Sequence, residues 1–161
     1  MKGSLISAVV ELEEILKYIE FPREFPSIFN GINVIFATVE EDIHDVGKNV
    51  TIGLYKSVGI NVIDLGVNVP AARIVEEVIR RNAPILCLSG LLTSSYGSMK
   101  KTIDLLIEKQ LRSAVKVIIG GNVNETVRTY VGADYWVTDC ATGLKICDET
   151  AREIHQNRLG K

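Results

Sequence analysis

One of the two histidines in this chain, His44, lies among acidic residues shortly after an aliphatic run. Asp42, His44 and Gly47 form the pattern DxHxxG. A neutral imidazole is a common ligand for transition metals, cobalt included. A nearby carboxylate that holds the second ring N–H fixes the tautomer and strengthens the ligand, and Asp42 is the natural partner. His44 is therefore a candidate metal ligand, although a lone histidine near a helix start is more often a surface or capping residue.

Two further motifs follow along the chain. Forty-one residues separate Gly47 from Ser89-Gly90-Leu91, and 28 residues separate Leu91 from Gly120-Gly121. The hydroxyls of Ser89 and Thr93 could hydrogen-bond a ligand, and paired glycines let backbone N–H groups approach one closely. Each motif also has an ordinary explanation. Ser94 and Ser95 are typical helix caps, and paired glycines are typical of a tight turn.

Short aliphatic runs alternate with helical stretches from residue 32 onwards. Candidate strands cover 32–39, 61–64, 85–89, 115–120 and 135–138. Candidate helices cover 46–58, 70–81, 96–110, 124–131 and 142–156. The strands are apolar on both faces, which is typical of parallel strands covered by helices. The pattern predicts an α/β fold of the flavodoxin-like (Rossmann-like) kind, with a doubly wound five-stranded parallel sheet of strand order 2-1-3-4-5.

This sheet would bring the three motifs to one edge. In doubly wound sheets, ligands bind at the carboxyl ends of the strands, beside the point where strand order reverses. For the predicted order, that point lies between the first and third strands. The DxHxxG stretch follows the first strand, the serine motif ends the third, and the glycine pair ends the fourth.

The composition excludes several classes of function. At 161 residues, the chain is most simply one domain. A net charge of −2 without a Lys/Arg block argues against binding to nucleic acid or to a membrane surface, and no signal peptide or spanning segment is evident. Three cysteines, an odd number without a CxxC pair, argue against disulfides and for the cytoplasm. Cys87, in an apolar run, is expected to be buried.

At these spacings, the three motifs resemble the cobalamin-binding domain shared by methionine synthase, corrinoid methyl-carrier proteins and certain adenosylcobalamin mutases. The resemblance runs from about residue 32 to 157, and we assign 32–161 to a cobalamin-binding domain. It implies that His44 binds cobalt in place of the cofactor's own benzimidazole, the base-off, His-on state. The detached nucleotide tail would then enter a slot between the sheet and its helices. The implied cofactor is cobalamin, as methylcobalamin or a related corrinoid, with its cobalt.

The resemblance also implies which residues hold the cofactor. Asp42, His44 and Ser95 would form a relay, with His44 as the metal ligand. Gly47 would leave room for the tail at the start of the first helix, and a loop over 139–142 would close the far end of the slot. The expected cofactor-binding residues are Glu41, Asp42, Ile43, His44, Asp45, Gly47, Ser89, Leu91, Thr93, Ser95, Gly120, Gly121, Asn122, Cys140 and Ala141.

Within this family, the sequence looks most like the methyl carriers, which move a methyl group on cobalt between methyltransferase proteins. Thr93 and Met99 favour this interpretation, whereas Glu41 and Asn122 stand where many carriers have other, smaller residues. No residue is expected to act as a catalyst, because cobalt does the chemistry. The alternatives are the small cobalamin-binding subunit of an adenosylcobalamin-dependent mutase, and a cobalamin storage or sensing module.

Residues 1–31 are expected to form one short N-terminal helix and a linker. An apolar stripe at helical spacing predicts the helix, and prolines and a glycine then break the pattern. Carriers usually place four helices over the methyl-bearing face of the corrin, so this helix is expected to be a remnant of that cap. It would pack on its own sheet, pair with a second copy, or dock on a methyltransferase. The stripe consists of Leu5, Val9, Leu12, Leu16 and Ile19.

Overall fold

The computed structural model describes residues 31–161, in which strands and helices alternate. The strands are β1 (Asn33–Thr38), β2 (Asn61–Asp64), β3 (Ile85–Gly90), β4 (Lys116–Gly121) and β5 (Tyr135–Val137). The α-helices are α1 (Val46–Ser57), α2 (Ala71–Arg81), α3 (Thr93–Glu108), α4 (Glu125–Val131) and α5 (Cys140–Leu159), and a 3-10 turn covers Arg112–Ala114. The predicted N-terminal helix and its cap role lie outside the described residues.

The sheet is the predicted one. Its five strands are parallel and in the order β2-β1-β3-β4-β5. The register aligns four residues near the carboxyl edge: Thr38 pairs with Ser89, Ser89 with Gly120, and Gly120 with Val137. The loops that leave this edge after β1, β3 and β4 are therefore neighbours, and order reverses between β1 and β3 as expected.

Helices cover both faces of the sheet, and each face has its own core. Ile35, Leu86 and Ile119 belong to the core on the side of α2, α3 and α4. Phe36, Cys87 and Ile118, which alternate with them along the strands, belong to the core on the side of α1 and α5. Because successive strand residues point to opposite faces, the continuous aliphatic runs supply both cores. Cys87 is buried, as expected.

The helix predicted over 96–110 begins earlier, at Thr93. Leu92 occupies its N-cap position without a side-chain hydrogen bond. Ser95 lies inside the first turn, and its hydroxyl donates to the carboxylate of Asp42 instead of capping the helix. The interpretation of Ser94 and Ser95 as caps is therefore wrong, because a partner from another loop takes the hydroxyl.

The last helix also begins earlier than predicted, at Cys140 instead of residue 142. Asp139 caps it: one carboxylate oxygen accepts the Thr142 backbone N–H at 2.8 Å and the other accepts the Thr142 hydroxyl at 2.8 Å. An aspartate that caps the N–H three residues on is a common helix start. The stretch 139–142 is thus a capped first turn, and the prediction of a loop containing Cys140 and Ala141 is wrong.

Candidate functional site

Asp42 joins the two loops on either side of the strand-order reversal. Its side chain is fully buried. Oδ1 accepts the backbone N–H of His44 at 2.9 Å and lies 2.7 Å from that residue's ring Nδ1. Oδ2 accepts the backbone N–H of Leu91 and the hydroxyl of Ser95, each at 2.7 Å. The structure therefore brings together the three side chains that were predicted to form a relay.

The hydrogen bonds around Asp42 keep its carboxyl ionised. Burial by itself raises the pKa of this group. Hydrogen bonds from the His44 backbone, the Ser95 hydroxyl, the Leu91 backbone and the His44 ring outweigh burial and hold the pKa of Asp42 well below its usual range. Hydrogen bonds to a charged acceptor are also the stronger kind. We therefore assign the proton of the contact to Nδ1 of His44, which donates to Asp42.

Hydrogen bonds within the described residues hold the His44 ring through only one of its two nitrogens. Its backbone carbonyl accepts the hydroxyl of the buried Thr38 at 2.9 Å, so both the main chain and the ring are held. Among the described residues, no group hydrogen-bonds Nε2, and the side chain is 48% exposed. With Nδ1 protonated against a carboxylate, the lone pair on Nε2 is available to a metal.

A cavity of about 780 Å³ opens beside His44 and lies between the sheet and helices α1 and α5. Phe36, Cys87 and Ile118 form its sheet side, and Tyr55 and Gly143 line it from the two helices. None of these five residues was predicted, because each lies outside the three motifs on which the prediction rests. The apolar character of Phe36, Cys87 and Ile118 could have been anticipated from the sheet face to which they belong.

Most predicted site residues do line this cavity, and the rest lie in other places. Asp42 and Ser95 lie behind His44, as partners of its ring and of one another. Glu41, Thr93 and Ala141 are not among the lining residues. The predicted residues that line the cavity are Ile43, His44, Asp45, Gly47, Ser89, Leu91, Gly120, Gly121, Asn122 and Cys140.

The two glycines at the end of β4 have different constraints. Gly121 has a φ of +104°, and a Cβ there would lie 2.2 Å from the carbonyl oxygen of Gly90. A Cβ at Gly120 would make only ordinary contact, 3.6 Å from Val137. A Cβ at Gly47 would meet nothing within 4 Å. The fold itself therefore requires glycine at 121, whereas at 47 and 120 the space for a side chain is open or nearly so.

The loop after β2 is hydrogen-bonded to the loop of His44 through Asn68, which was not predicted as a site residue. Asn68 Oδ1 accepts the backbone N–H of Glu41 at 2.9 Å, and the Asn68 N–H donates to the Asp42 carbonyl at 2.9 Å. Both Glu41 and Asn68 have left-handed backbones, with φ of +70° and +50°. Asparagine tolerates this conformation better than most residues, so the residue type at position 68 gave a weak indication of a left-handed backbone.

A buried ion pair supports α1 next to the cavity. Lys48 Nζ lies 2.7 Å from Asp64 Oδ1 and 3.1 Å from Asn49 Oδ1, and only 1% of the lysine side chain is exposed. Burial raises the pKa of Asp64, but hydrogen bonds from Lys48 and the Gly66 N–H lower it below its usual value overall. Lys48 also lines the cavity. The pair was not predicted, since nothing local links residues 48 and 64.

Two other kinds of feature are absent from residues 31–161. No helix in this part of the chain is both long and apolar enough to span a bilayer. Within the same residues, no three His, Cys, Asp or Glu side chains gather around a common point that could hold a metal ion. His44, the candidate ligand, is therefore not part of such a group in the described residues.

Comparisons with known proteins identify the family of this chain. The family described as B12 binding domain matches residues 32–143. A corrinoid protein of Desulfitobacterium hafniense is 35% identical over 117 residues, which cover 72% of this chain and 54% of that protein.

Two solved structures are also similar to this chain. A cobalamin-binding protein from Desulfitobacterium hafniense superposes with a TM-score of 0.72 at 45% identity, covering 74% of this chain and 58% of that one. The methanol:cobalamin methyltransferase complex of Methanosarcina barkeri matches with a TM-score of 0.70 at 28% identity, covering 75% and 46%. The chain therefore spans only about half the length of these proteins.

Proposed function

The chain belongs to the B12-binding domain family, and on that basis we propose that it binds cobalamin base-off and His-on and carries a methyl group between methyltransferase proteins. The observation that carries the proposal is the His44 ring: a buried carboxylate holds its Nδ1, no residue of 31–161 bonds its Nε2, and the side chain lines a large cavity.

The residues present fit a corrinoid. A single imidazole with a carboxylate behind it suits a metal that already carries a macrocycle. The cavity beside it has an apolar interior and a polar mouth that includes Ser89 and Asn122, which suits an aromatic base attached to a sugar phosphate. Gly47 leaves free space at the start of α1. When bound, the cobalt supplies the centre that accepts and gives up the methyl group.

In this proposal, the chain holds and orients the cofactor. His44 would bind the cobalt through Nε2, and Asp42 fixes the tautomer of the imidazole and increases its basicity. Ser95 and the Leu91 N–H keep Asp42 ionised and in place. No described residue is assigned a catalytic role.

Apolar side chains near His44 support a partner on the outer side of the site. Ile43, Val46, Leu91 and Leu92 are exposed, by 42% to 73%, although they are large and apolar. Grouped exposed apolar residues mark ligand or protein contacts. We propose that the corrin covers part of this surface and that a methyltransferase docks over it. A second copy of the chain is the competing occupant, and sedimentation of the loaded protein at rising concentration separates the two.

The ligation is tested by electron paramagnetic resonance of the loaded protein in the Co(II) state. We expect nitrogen superhyperfine coupling from an imidazole, and we expect His44→Ala to lose it while circular dichroism stays unchanged. The matched control is His155→Ala, which removes the only other histidine, an exposed one on α5. An unchanged spectrum in His44→Ala would show that the ligand assignment is wrong.

The carrier role needs its own test, because a storage module could also use His44. The loaded, reduced protein is treated with isotopically labelled methyl iodide, and the label bound to protein is counted. It is then exposed to a thiol acceptor, and label transfer is followed. Reduced cobalamin reacts with methyl iodide without any protein, so free cobalamin is the control. A carrier releases its label to the thiol faster than free methylcobalamin does. A protein whose release rate equals that of the free cofactor stores the cofactor or serves another reaction.

A further inference from the structure

Tyr55 is a polar residue in an apolar part of the cavity. Its side chain is 1% exposed, and its ring packs edge-on against Phe36 with centroids 5.3 Å apart. Both residues line the cavity. A Cβ added at Gly143 would lie 2.9 Å from the Tyr55 hydroxyl. The hydroxyl therefore fills the space that any larger residue at position 143 would need, and the two positions are sterically coupled.

The Tyr55 hydroxyl has no hydrogen-bond partner among the described residues. The nearest carboxylate in sequence around Gly143, Asp139, uses both oxygens to cap α5. Within residues 31–161, Asp148 Oδ1 is the one fully enclosed side-chain oxygen without a partner. Tyr55 and Gly143 both line the cavity, so the end of the tyrosine side chain that lies against Gly143 borders it.

The surroundings of this hydroxyl make it a hydrogen-bond donor. Burial, followed by the nearby Cys87 and Cys147 thiols, raises the pKa of Tyr55 well above its usual value, so the phenol stays protonated. The adjacent cavity wall consists of Phe36, Cys87, Ile118 and Val137, none of which offers a side-chain oxygen or nitrogen. A buried hydroxyl left without a partner is unfavourable. Because no residue of 31–161 bonds this hydroxyl and Tyr55 lines the cavity, a ligand in the cavity could provide the partner.

We propose that Tyr55 selects among corrinoids by the base of the nucleotide tail, donating a hydrogen bond to an oxygen or nitrogen on the far edge of that base. The proposal rests on the function proposed above. The apolar interior suits the aromatic base, and the polar mouth suits the sugar phosphate. Bases with an acceptor at that edge, such as 5-hydroxybenzimidazole or a purine, satisfy the hydroxyl. The two methyl groups of 5,6-dimethylbenzimidazole would bury it without a partner.

The test measures dissociation constants of the whole chain for three probes: 5-hydroxybenzimidazolyl cobamide, cobalamin, and cobinamide, which lacks the nucleotide. We expect the wild type to bind the hydroxylated cobamide roughly tenfold more tightly than cobalamin, the value of one hydrogen bond. Tyr55→Phe should abolish this preference and leave cobinamide binding unchanged. Tyr130→Phe, which changes an exposed tyrosine on α4, is the control and should keep the preference.

Thermal unfolding of each variant shows whether the fold is retained. If Tyr55→Phe is poorly folded, the double variant Tyr55→Phe/Gly143→Ala refills the vacated space and repeats the measurement. Equal wild-type affinities for cobalamin and the hydroxylated cobamide would overturn the role of Tyr55 while leaving the proposed function standing. A preference that survives in Tyr55→Phe would do the same. Failure of the wild type to bind any of the three probes would overturn both proposals.

Discussion

The Ser95 hydroxyl donates to Asp42 Oδ2 at 2.7 Å across 53 residues of sequence, and both side chains are fully buried. Gly90 makes this contact possible. A Cβ at position 90 would lie 2.6 Å from Ser95 Cβ, so any larger residue would push the serine away from the carboxylate. The pair links the loop after β1 to the first turn of α3, and through Asp42 it reaches the ring of His44.

Asp42→Asn should keep the fold but weaken corrinoid binding by roughly 10–100-fold, the usual effect of losing a carboxylate behind a metal-binding histidine. The neutral amide is a poorer acceptor and would aim its NH₂ group at one set of donors. A weaker axial ligand stabilises the oxidised cobalt less, so the Co(II)/Co(I) midpoint potential should rise. Spectroelectrochemical titration measures it, with the exposed Asp104→Asn as control. An unchanged or lower potential removes Asp42 from this role.

Lys48→Met should destabilise the chain by about 1–2 kcal/mol at pH 7, less than the loss of a fully buried pair because a third of the Asp64 side chain is exposed. The folded pKa of Asp64 is lowered, chiefly by Lys48 against the opposing effect of burial. The pair therefore stabilises above the unfolded pKa, about 4, and this contribution is lost as pH falls through the folded pKa.

Urea unfolding of wild type and Lys48→Met between pH 7 and pH 3 checks this. The difference in the free energy of unfolding should be constant at neutral pH and shrink below about pH 4. Lys100→Met is the matched control, since Lys100 lies 2.9 Å from Asp104 but both side chains are exposed; it should cost about 0.5 kcal/mol or less. A difference that stays constant down to pH 3 would exclude the Asp64 mechanism.

Replacements of the β4 glycines should separate folding from ligand uptake. Gly121→Ala should prevent stable folding, because its Cβ would meet the Gly90 carbonyl and its φ is positive. Gly120→Leu should fold, but its side chain would project toward the cavity and weaken cobalamin binding much more than cobinamide binding. Thermal unfolding and titration with both ligands provide the measurements. Equal losses for the two ligands would place the tail away from β4.

Glu41→Gly should stabilise the chain, by about 1 kcal/mol at most, because a left-handed backbone is unfavourable for residues with a Cβ. The effect is limited because glycine also loses more conformational entropy on folding. Glu40→Gly, one residue earlier and without a positive φ, is the control and should destabilise. Guanidinium unfolding measures both. If Glu41→Gly destabilises as much as the control, the clamp from Asn68 already compensates the strain.

The parts of this structure that could be predicted from the sequence are those set by local pattern. The aliphatic runs predicted five parallel strands in the correct order, and the motifs after the first, third and fourth strands predicted one shared edge. The contact of Asp42 with His44 could be predicted because the two residues are only two positions apart in the sequence. Helix starts were less accurate, because Ser95 and Asp139 could each serve as a cap or bind elsewhere, and only the folded chain decides between these uses.

The contacts that could not be predicted depend on register between distant segments. Lys48 meets Asp64 because α1 packs over β2, and Asn68 meets Glu41 because the loop after β2 returns to the loop after β1. The Tyr55 hydroxyl lies close to Gly143 because α1 and α5 pack on the same sheet face. In each case the residue types are ordinary, and only their three-dimensional proximity gives them a role.

The hydrogen bonds that hold His44 have a consequence for the speed and entropy of cofactor uptake. The residue's N–H donates to Asp42, its carbonyl accepts from Thr38 and its ring contacts Asp42 again, so the chain itself supplies all three contacts. A preorganised ligand loses little conformational freedom when it binds metal. Amide protons of His44 and Leu91 should therefore exchange slowly with solvent deuterium before loading, and protection there should change little afterwards. Association would then be limited by removal of the cofactor's own base and not by ordering of the loop.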